Sequence, residues 1–113
     1  MPYDEDLANR LRELLADEDA VTERRMFGGL AFLLNGNMSV SASRTGGLLA
    51  RIDPADTEAA LARPHASRME MGRRSMDGWI AVAPEGVRTK RQLEPWVRRS
   101  VAFVRTLPPK EKG

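Results

Sequence analysis

Leu30-Ala31-Phe32-Leu33-Leu34-Asn35-Gly36-Asn37-Met38-Ser39-Val40-Ser41-Ala42 is the stretch from which the fold can be read. An apolar run leads into Asn-Gly, after which Met38, Val40 and Ala42 alternate with Ser39, Ser41 and Ser43. Period two sends successive side chains to opposite faces of a strand, and Asn-Gly supplies the left-handed residues a tight hairpin needs. Two registers are open. A two-residue turn on Asn35-Gly36 pairs Leu33 with Met38 and sets Phe32 beside Ser39. A three-residue loop of Leu34, Asn35 and Gly36 sets Phe32 opposite Met38 and Leu30 opposite Val40. The second register gathers Leu30, Phe32, Met38, Val40 and Ala42 on one face. Burying Leu30 and Phe32 gains roughly 3–6 kcal/mol over leaving them wet, more than turn types differ by. The three-residue loop is therefore expected.

Working outward, Thr22 to Phe27 reads as a strand leading into the hairpin, with Gly28-Gly29 as a bend or bulge. Arg44 to Gly47 holds a further turn, and Leu48 to Ile52 is the next antiparallel strand. Asp53 or the residues just after it cap a short helix, with Pro54 at its start, Thr57 to Arg63 as its body and Pro64 ending it. Ser67 to Met71 and Gly78 to Val82 predict two more strands, with Gly72 to Asp77 between them. Helices close both ends. Leu7, Leu11, Leu14 and Leu15 form an apolar stripe over Asp4 to Asp17, and Leu93, Val97, Val101, Val104 and Leu107 form another over Thr89 to Leu107. Pro95 lies within the second, so either Lys90–Glu94 is a separate turn or the helix kinks there. The order α-β-β-β-β-α-β-β-α, with hairpin-linked strands, predicts a single α+β domain over residues 1–107, its end helices packed on an antiparallel sheet. Residues 108–113 are expected to be a loose, disordered tail after Pro108-Pro109.

Composition narrows the chemistry. At 113 residues and 42% hydrophobic, the chain holds enough apolar material for one core without staples. It has no cysteine, which excludes disulfides, thiolate metal sites and a cysteine nucleophile. The one histidine, His65, excludes a multi-histidine metal site. No apolar run is long enough to span a membrane, and the acidic start lacks the basic, then greasy, pattern of a signal peptide. A cytoplasmic protein without metal or cofactor is expected. Charge is polarised along the chain: residues 1–20 carry seven acids against two arginines, and residues 86–113 carry eight bases against two glutamates. Either the ends attract each other or the basic end meets an anionic partner.

Several constellations invite chemistry. Glycines after a strand in Arg25-Met26-Phe27-Gly28-Gly29 could cradle phosphate, but no Lys-Ser/Thr follows and the next element is a strand. A structural turn is expected. His65 has Ser67 and Asp77 as conceivable triad partners without a nucleophile elbow, so a surface loop histidine is the simpler reading. Asp53, Asp56 and Glu58 could bind a hard cation but more simply charge a helix start. Met69 and Met71, alternating on a strand, hint at a soft partner surface. Arg91, Arg98 and Arg105 repeat every seven residues on the last helix, flanked by Arg88, Lys90 and Arg99. That set could hold an anionic partner or simply be a solvated helix face. The chain has only six aromatics and shows no helix-turn-helix, finger or stacking motif.

The run Arg25-Met26-Phe27-Gly28-Gly29, an apolar strand, then Asn35-Gly36-Asn37-Met38 resembles the N-terminal domain of the TfoX/Sxy family. The strand Leu48 to Asp53, the strand Trp79 to Pro84, and Leu93 with Trp96 on the closing helix extend the resemblance over roughly residues 20–107. The resemblance implies an α+β fold like that of type III secretion chaperones, in a stand-alone form without the C-terminal helical domain. It also implies relation to regulators of natural competence that act with a transcription activator. The expected function is a non-enzymatic interaction domain of a bacterial protein, binding another protein or itself. The alternative is non-specific nucleic-acid binding through Arg88, Lys90, Arg91, Arg98, Arg99 and Arg105.

Overall fold

Asp4 starts the first helix, because its carboxylate accepts hydrogen bonds from the amides of Asp6 (2.9 Å) and Leu7 (3.3 Å), which have no partner within the helix. The computed structural model describes residues 3–26, 28–71 and 74–109. Its helix α1 (Glu5–Leu14) is followed by β1 (Val21–Met26), β2 (Gly29–Leu34), β3 (Asn37–Ala42) and β4 (Leu48–Arg51). A 3-10 turn (Pro54–Asp56) runs into α2 (Thr57–Leu61), then come β5 (Ala66–Met71), β6 (Arg74–Val82), a second 3-10 turn (Pro84–Gly86) and α3 (Lys90–Val104). The strands form one six-stranded sheet in the order β1-β2-β3-β4-β6-β5, every pair antiparallel. This is the expected α+β domain.

The hairpin corrects the expected register. Leu34 pairs with Asn37 and Leu33 with Met38, so the turn has two residues, with Asn35 at φ +51° and Gly36 at φ +82°. The pairing then shifts by one residue, and Phe32 faces Val40 while Leu30 faces Ala42. Ser39 is the extra residue of a β-bulge. Leu30, Phe32, Val40 and Ala42 still share one face, by a bulge inside β3 rather than by a longer loop, but Met38, expected among them, pairs with Leu33 and lies half-exposed on the other side. Ser39 shares the side of Phe32: its hydroxyl lies 2.6 Å from that of Ser100 on α3, and Ser100 Oγ donates to the Ser39 carbonyl at 2.9 Å. Both serines are buried.

All three helices cover the side of the sheet carrying Leu30, Phe32, Val40, Ala42, Leu48, Ala50, Ile80 and Val82. Leu7, Leu11 and Leu15 of α1 and its end, Ala60 of α2, and Leu93, Trp96 and Val97 of α3 pack there. Val101, expected in the centre of the α3 stripe, is only half-buried, and Ser100 takes the sheet-facing position instead. The stripe is rotated toward Trp96, Ser100 and Val104. Helix α3 runs unbroken through Pro95, so there is no separate turn at Lys90–Glu94. A capping box between Thr89 and Gln92 holds the first turn, and burial of Trp96 and Val97 holds the rest against the one missing backbone bond.

Strand β6 begins four residues before the expected Gly78. Gly78 reads as a strand start but sits inside the strand at φ +83°, donating its amide to Thr57 Oγ (2.8 Å) while its carbonyl accepts from the Ile52 amide (2.7 Å). A Cβ there would stand 2.8 Å from the Ile52 oxygen, so only glycine lets β6 pass. Of the bend or bulge expected at Gly28-Gly29, the structure has the bend: Met26 pairs with Gly29, so the chain turns tightly from β1 into β2.

Candidate interaction face

With the helices on one side, the other side of the sheet is open. Antiparallel pairing sets Arg24, Ala31, Ser41, Leu49, Ala81 and Ser67 in one row across it, and Arg51 beside Trp79 in the next. Ala31 and Leu33 are buried there, while Met26, Met38, Leu49, Met69, Trp79 and Ala81 are half-exposed. Met26, Met38, Leu49, Met69 and Ala81 line an open groove of about 340 Å³, with Arg44, Thr45 and Arg68 at its edge. Methionine suits such a surface because its flexible, polarisable side chain accommodates many shapes.

The arginines around this face differ in their bonding. Arg68 is held twice, to Glu58 of α2 (2.6 Å) and Asp77 (3.1 Å), and its pKa is raised first by the Glu58 hydrogen bond and then by that of Asp77. Arg24 and Arg44 are exposed and form no ion pair among the described residues. Arg51 is unlike either. Its guanidinium carbon lies 5.1 Å from the ring centre of Trp79 and 5.8 Å from that of Phe103, and no described carboxylate pairs with it. Burial pushes its pKa down from the usual arginine range. Cation–π attraction to two rings replaces the missing counter-ion in part and leaves the N–H edge available.

The basic residues read from the last helix are divided. Arg88, Lys90, Arg91 and Arg99 are exposed, and Lys90 and Arg91 lie in the first turn, where the helix dipole adds to their positive charge. Arg98 is paired with Glu94 at 2.8 Å. Arg105 turns away from the stripe, bonding Glu18 (3.1 Å) and the Asp19 carbonyl (2.7 Å). The opposite charges of the two chain ends thus meet directly at this point. Arg12 of α1 similarly grips Glu23 of β1 at 2.7 and 2.8 Å, which lowers the Glu23 pKa and raises that of Arg12.

The other candidates fall into structural roles. Asp53 accepts from the Ala55 amide at 2.9 Å and caps the 3-10 turn. His65 sits exposed in a loop at φ +67°, Ser67 Oγ is aimed at the Ala81 carbonyl, and Asp77 is taken by Arg68. These three are not assembled. No group of three or more potential ligands gathers around a metal position among the described residues. In the Arg25–Gly29 segment, Arg25 is exposed, Met26 lines the groove, and Phe27 lies outside the described residues. Gly28 takes φ +78°, and a Cβ on Gly29 would stand 2.4 Å from the Ala42 carbonyl. Gly28 supplies the positive φ of the turn, and Gly29 lets β2 pass close to the β3 backbone. Met69 is half-exposed on the open face, as its alternation suggested. Leu49 and Arg51 belong to no motif, and the signal that could have found them, with Trp79, is that Leu49/Arg51 and Trp79/Ala81 alternate with the core residues Leu48/Ala50 and Ile80/Val82.

A helix-backed antiparallel sheet with one open face is the class of domain that the geometry defines. A model of the TfoX N-terminal domain matches residues 13–104, and the chain belongs to that family. No curated protein and no solved structure matches it. No helix among the described residues is long and apolar enough to cross a membrane.

Proposed function

We propose that this chain is a non-enzymatic interaction domain of a bacterial, cytoplasmic protein, regulatory in the manner of the competence regulators that its family is named for. The observation that carries this is the open sheet face, where methionines, Leu49 and Trp79 stay half-exposed opposite a fully helix-covered core. A sheet needs only one covered face to be stable, so apolar residues on the other are surplus to folding and suit a partner. Family membership supports the regulatory role, and the partner in this reading is another protein.

The test is affinity capture from the source cell, with nuclease in one arm, using the parent and a Leu49→Asp variant of matched melting temperature. A protein of defined stoichiometry retained by the parent in both arms and lost with the variant is expected. Capture that disappears with nuclease would instead favour nucleic-acid binding, the second reading, for which the exposed Arg88, Lys90, Arg91 and Arg99 speak. That reading is weaker because Arg98 and Arg105 are already bonded to acidic partners.

A further inference from the structure

The open face has a charge pattern as well as an apolar one. Arg24, Arg44 and Arg51 surround or cross it, and none has an ion-pair partner among the described residues. Among strand acids with described side chains, Glu23 lies on the helix side, bound to Arg12, and Asp77 is bound to Arg68. The face is thus apolar and cationic, with no described carboxylate left over. Arg51 is the most committed of these groups. It stands at the rim of the face, at the end of β4, with its guanidinium beside the ring of Trp79 and that of Phe103 on α3, which limits its rotation. Its in-plane N–H groups match the two oxygens of a carboxylate.

We propose that this face docks an acidic, amphipathic segment of a partner protein, apolar residues filling the methionine groove and a carboxylate engaging the stacked Arg51. The proposal rests on the interaction reading above and adds the chemistry of the occupant. A second copy of this chain fits worse. Laid face to face, two copies would bring Arg24, Arg44 and Arg51 toward one another with no described acid between them, and like charges oppose such docking. Nucleic acid also fits worse, since Trp79, the one described aromatic side chain on this face, is already stacked with Arg51, and Met26, Met38, Leu49 and Met69 would be left beside a phosphate backbone. An acidic amphipathic segment satisfies both halves of the face together.

The experiment selects a displayed random peptide library, of about 16 residues, against the immobilised chain and measures the winners in solution by fluorescence anisotropy. Enriched peptides should combine apolar residues with a clear excess of Asp and Glu. Their affinity should fall roughly tenfold or more for Arg51→Gln and be only partly kept by Arg51→Lys, which retains charge but loses the fork. Arg99→Gln, on the far side of the domain, should change nothing. Leu49→Ser should weaken binding, its melting temperature confirming that the fold persists. Neutral or basic winners that still lose affinity with Leu49→Ser would overturn the acidic occupant while leaving the interaction face standing. Winners indifferent to both Leu49→Ser and Arg51→Gln, or no enrichment, would overturn both readings. Tight binding of a single-stranded oligonucleotide that is lost with Arg51→Gln would assign the face to nucleic acid instead.

Discussion

Removing the hydroxyl of Ser100 tests the device that joins α3 to the sheet. The bulge at Ser39 takes one residue of β3 out of regular pairing, and Ser100 serves it twice, through the Ser39 carbonyl at 2.9 Å and the Ser39 hydroxyl at 2.6 Å. In Ser100→Ala both Ser39 groups stay buried and lose that partner, at a cost of about 1–3 kcal/mol. For a domain of this size that corresponds to a fall in Tm of roughly 4–12 °C. Ser39→Ala is milder, since Ser100 Oγ keeps its bond to the Ser39 carbonyl, and should cost under about 1 kcal/mol. The double variant no longer strands a buried hydroxyl, so it should be more stable than the sum of the singles predicts, by at least about 0.5 kcal/mol. Calorimetry or urea unfolding of the four proteins gives the full cycle. A Ser100→Ala protein melting within a degree of the parent, or strictly additive effects, would refute the claim that this pair holds the bulge.

Val97→Asp buries an unpaired carboxylate against the core and should cost more than about 3 kcal/mol, while Val101→Asp, at the half-exposed margin of α3, should cost markedly less; urea midpoints of the two variants decide. Gly29→Ala drives a methyl group against the Ala42 backbone oxygen and should cost about 1–3 kcal/mol, a loss that no side-chain movement relieves. Glu23 has its pKa lowered by the Arg12 hydrogen bond, so its contribution is present above its unfolded pKa and lost as pH falls through the lower, folded value. Because both partners are well exposed, that contribution stays below about 1 kcal/mol. Glu23→Gln should flatten the stability profile slightly below about pH 4.5 and leave its shape near pH 7 unchanged, as acid unfolding followed by circular dichroism would show.

Much of the fold was legible because local signals and the core agreed. The α1 stripe and the alternation through Val40 and Ala42 each describe an element whose apolar side must face inward, and Asn35-Gly36 marks the turn between β2 and β3. The errors arose where one residue did something a pattern cannot express. Period two assumes an uninterrupted ladder, so it places the conflict between a two-residue turn and an apolar Phe32 face in the loop. The chain resolves it inside β3 with Ser39, whose buried polarity is tolerable only because Ser100 arrives from a helix 61 positions away. Gly78 misled for a related reason. A glycine at the edge of an apolar run reads as punctuation, yet its left-handed φ is what allows Thr57 and Ile52 to dock against a continuing strand. Val101 fits the heptad-like spacing, but the helix turns its Trp96–Ser100–Val104 edge to the sheet to meet that same bulge.

The candidate site was harder to read, and the reason lies in what each pattern reports. A helix announces its charges as a stripe, so Arg91, Arg98 and Arg105 stood out, and folding then bonded two of them to Glu94 and Glu18. On a sheet the same kind of group is spread over strands distant in sequence. Arg51 and Trp79 become neighbours, and Arg24 comes onto the same side of the sheet, only once the order β1-β2-β3-β4-β6-β5 is set, and Phe103 joins Arg51 from α3. Within β4, Leu48 and Ala50 point to the core, so the backbone directs Leu49 and Arg51 to the other face, Arg51 standing at the end of the strand where its guanidinium also reaches Phe103 of α3. A large apolar residue and an arginine at successive outward positions of a central strand are not what a water-facing surface selects, since leucine gains nothing there and arginine forgoes a counter-ion. Their joint presence is accounted for by a partner that brings both apolar surface and negative charge, and this is why Arg51, rather than the conspicuous α3 stripe, is the residue on which the function of this domain should be tested first.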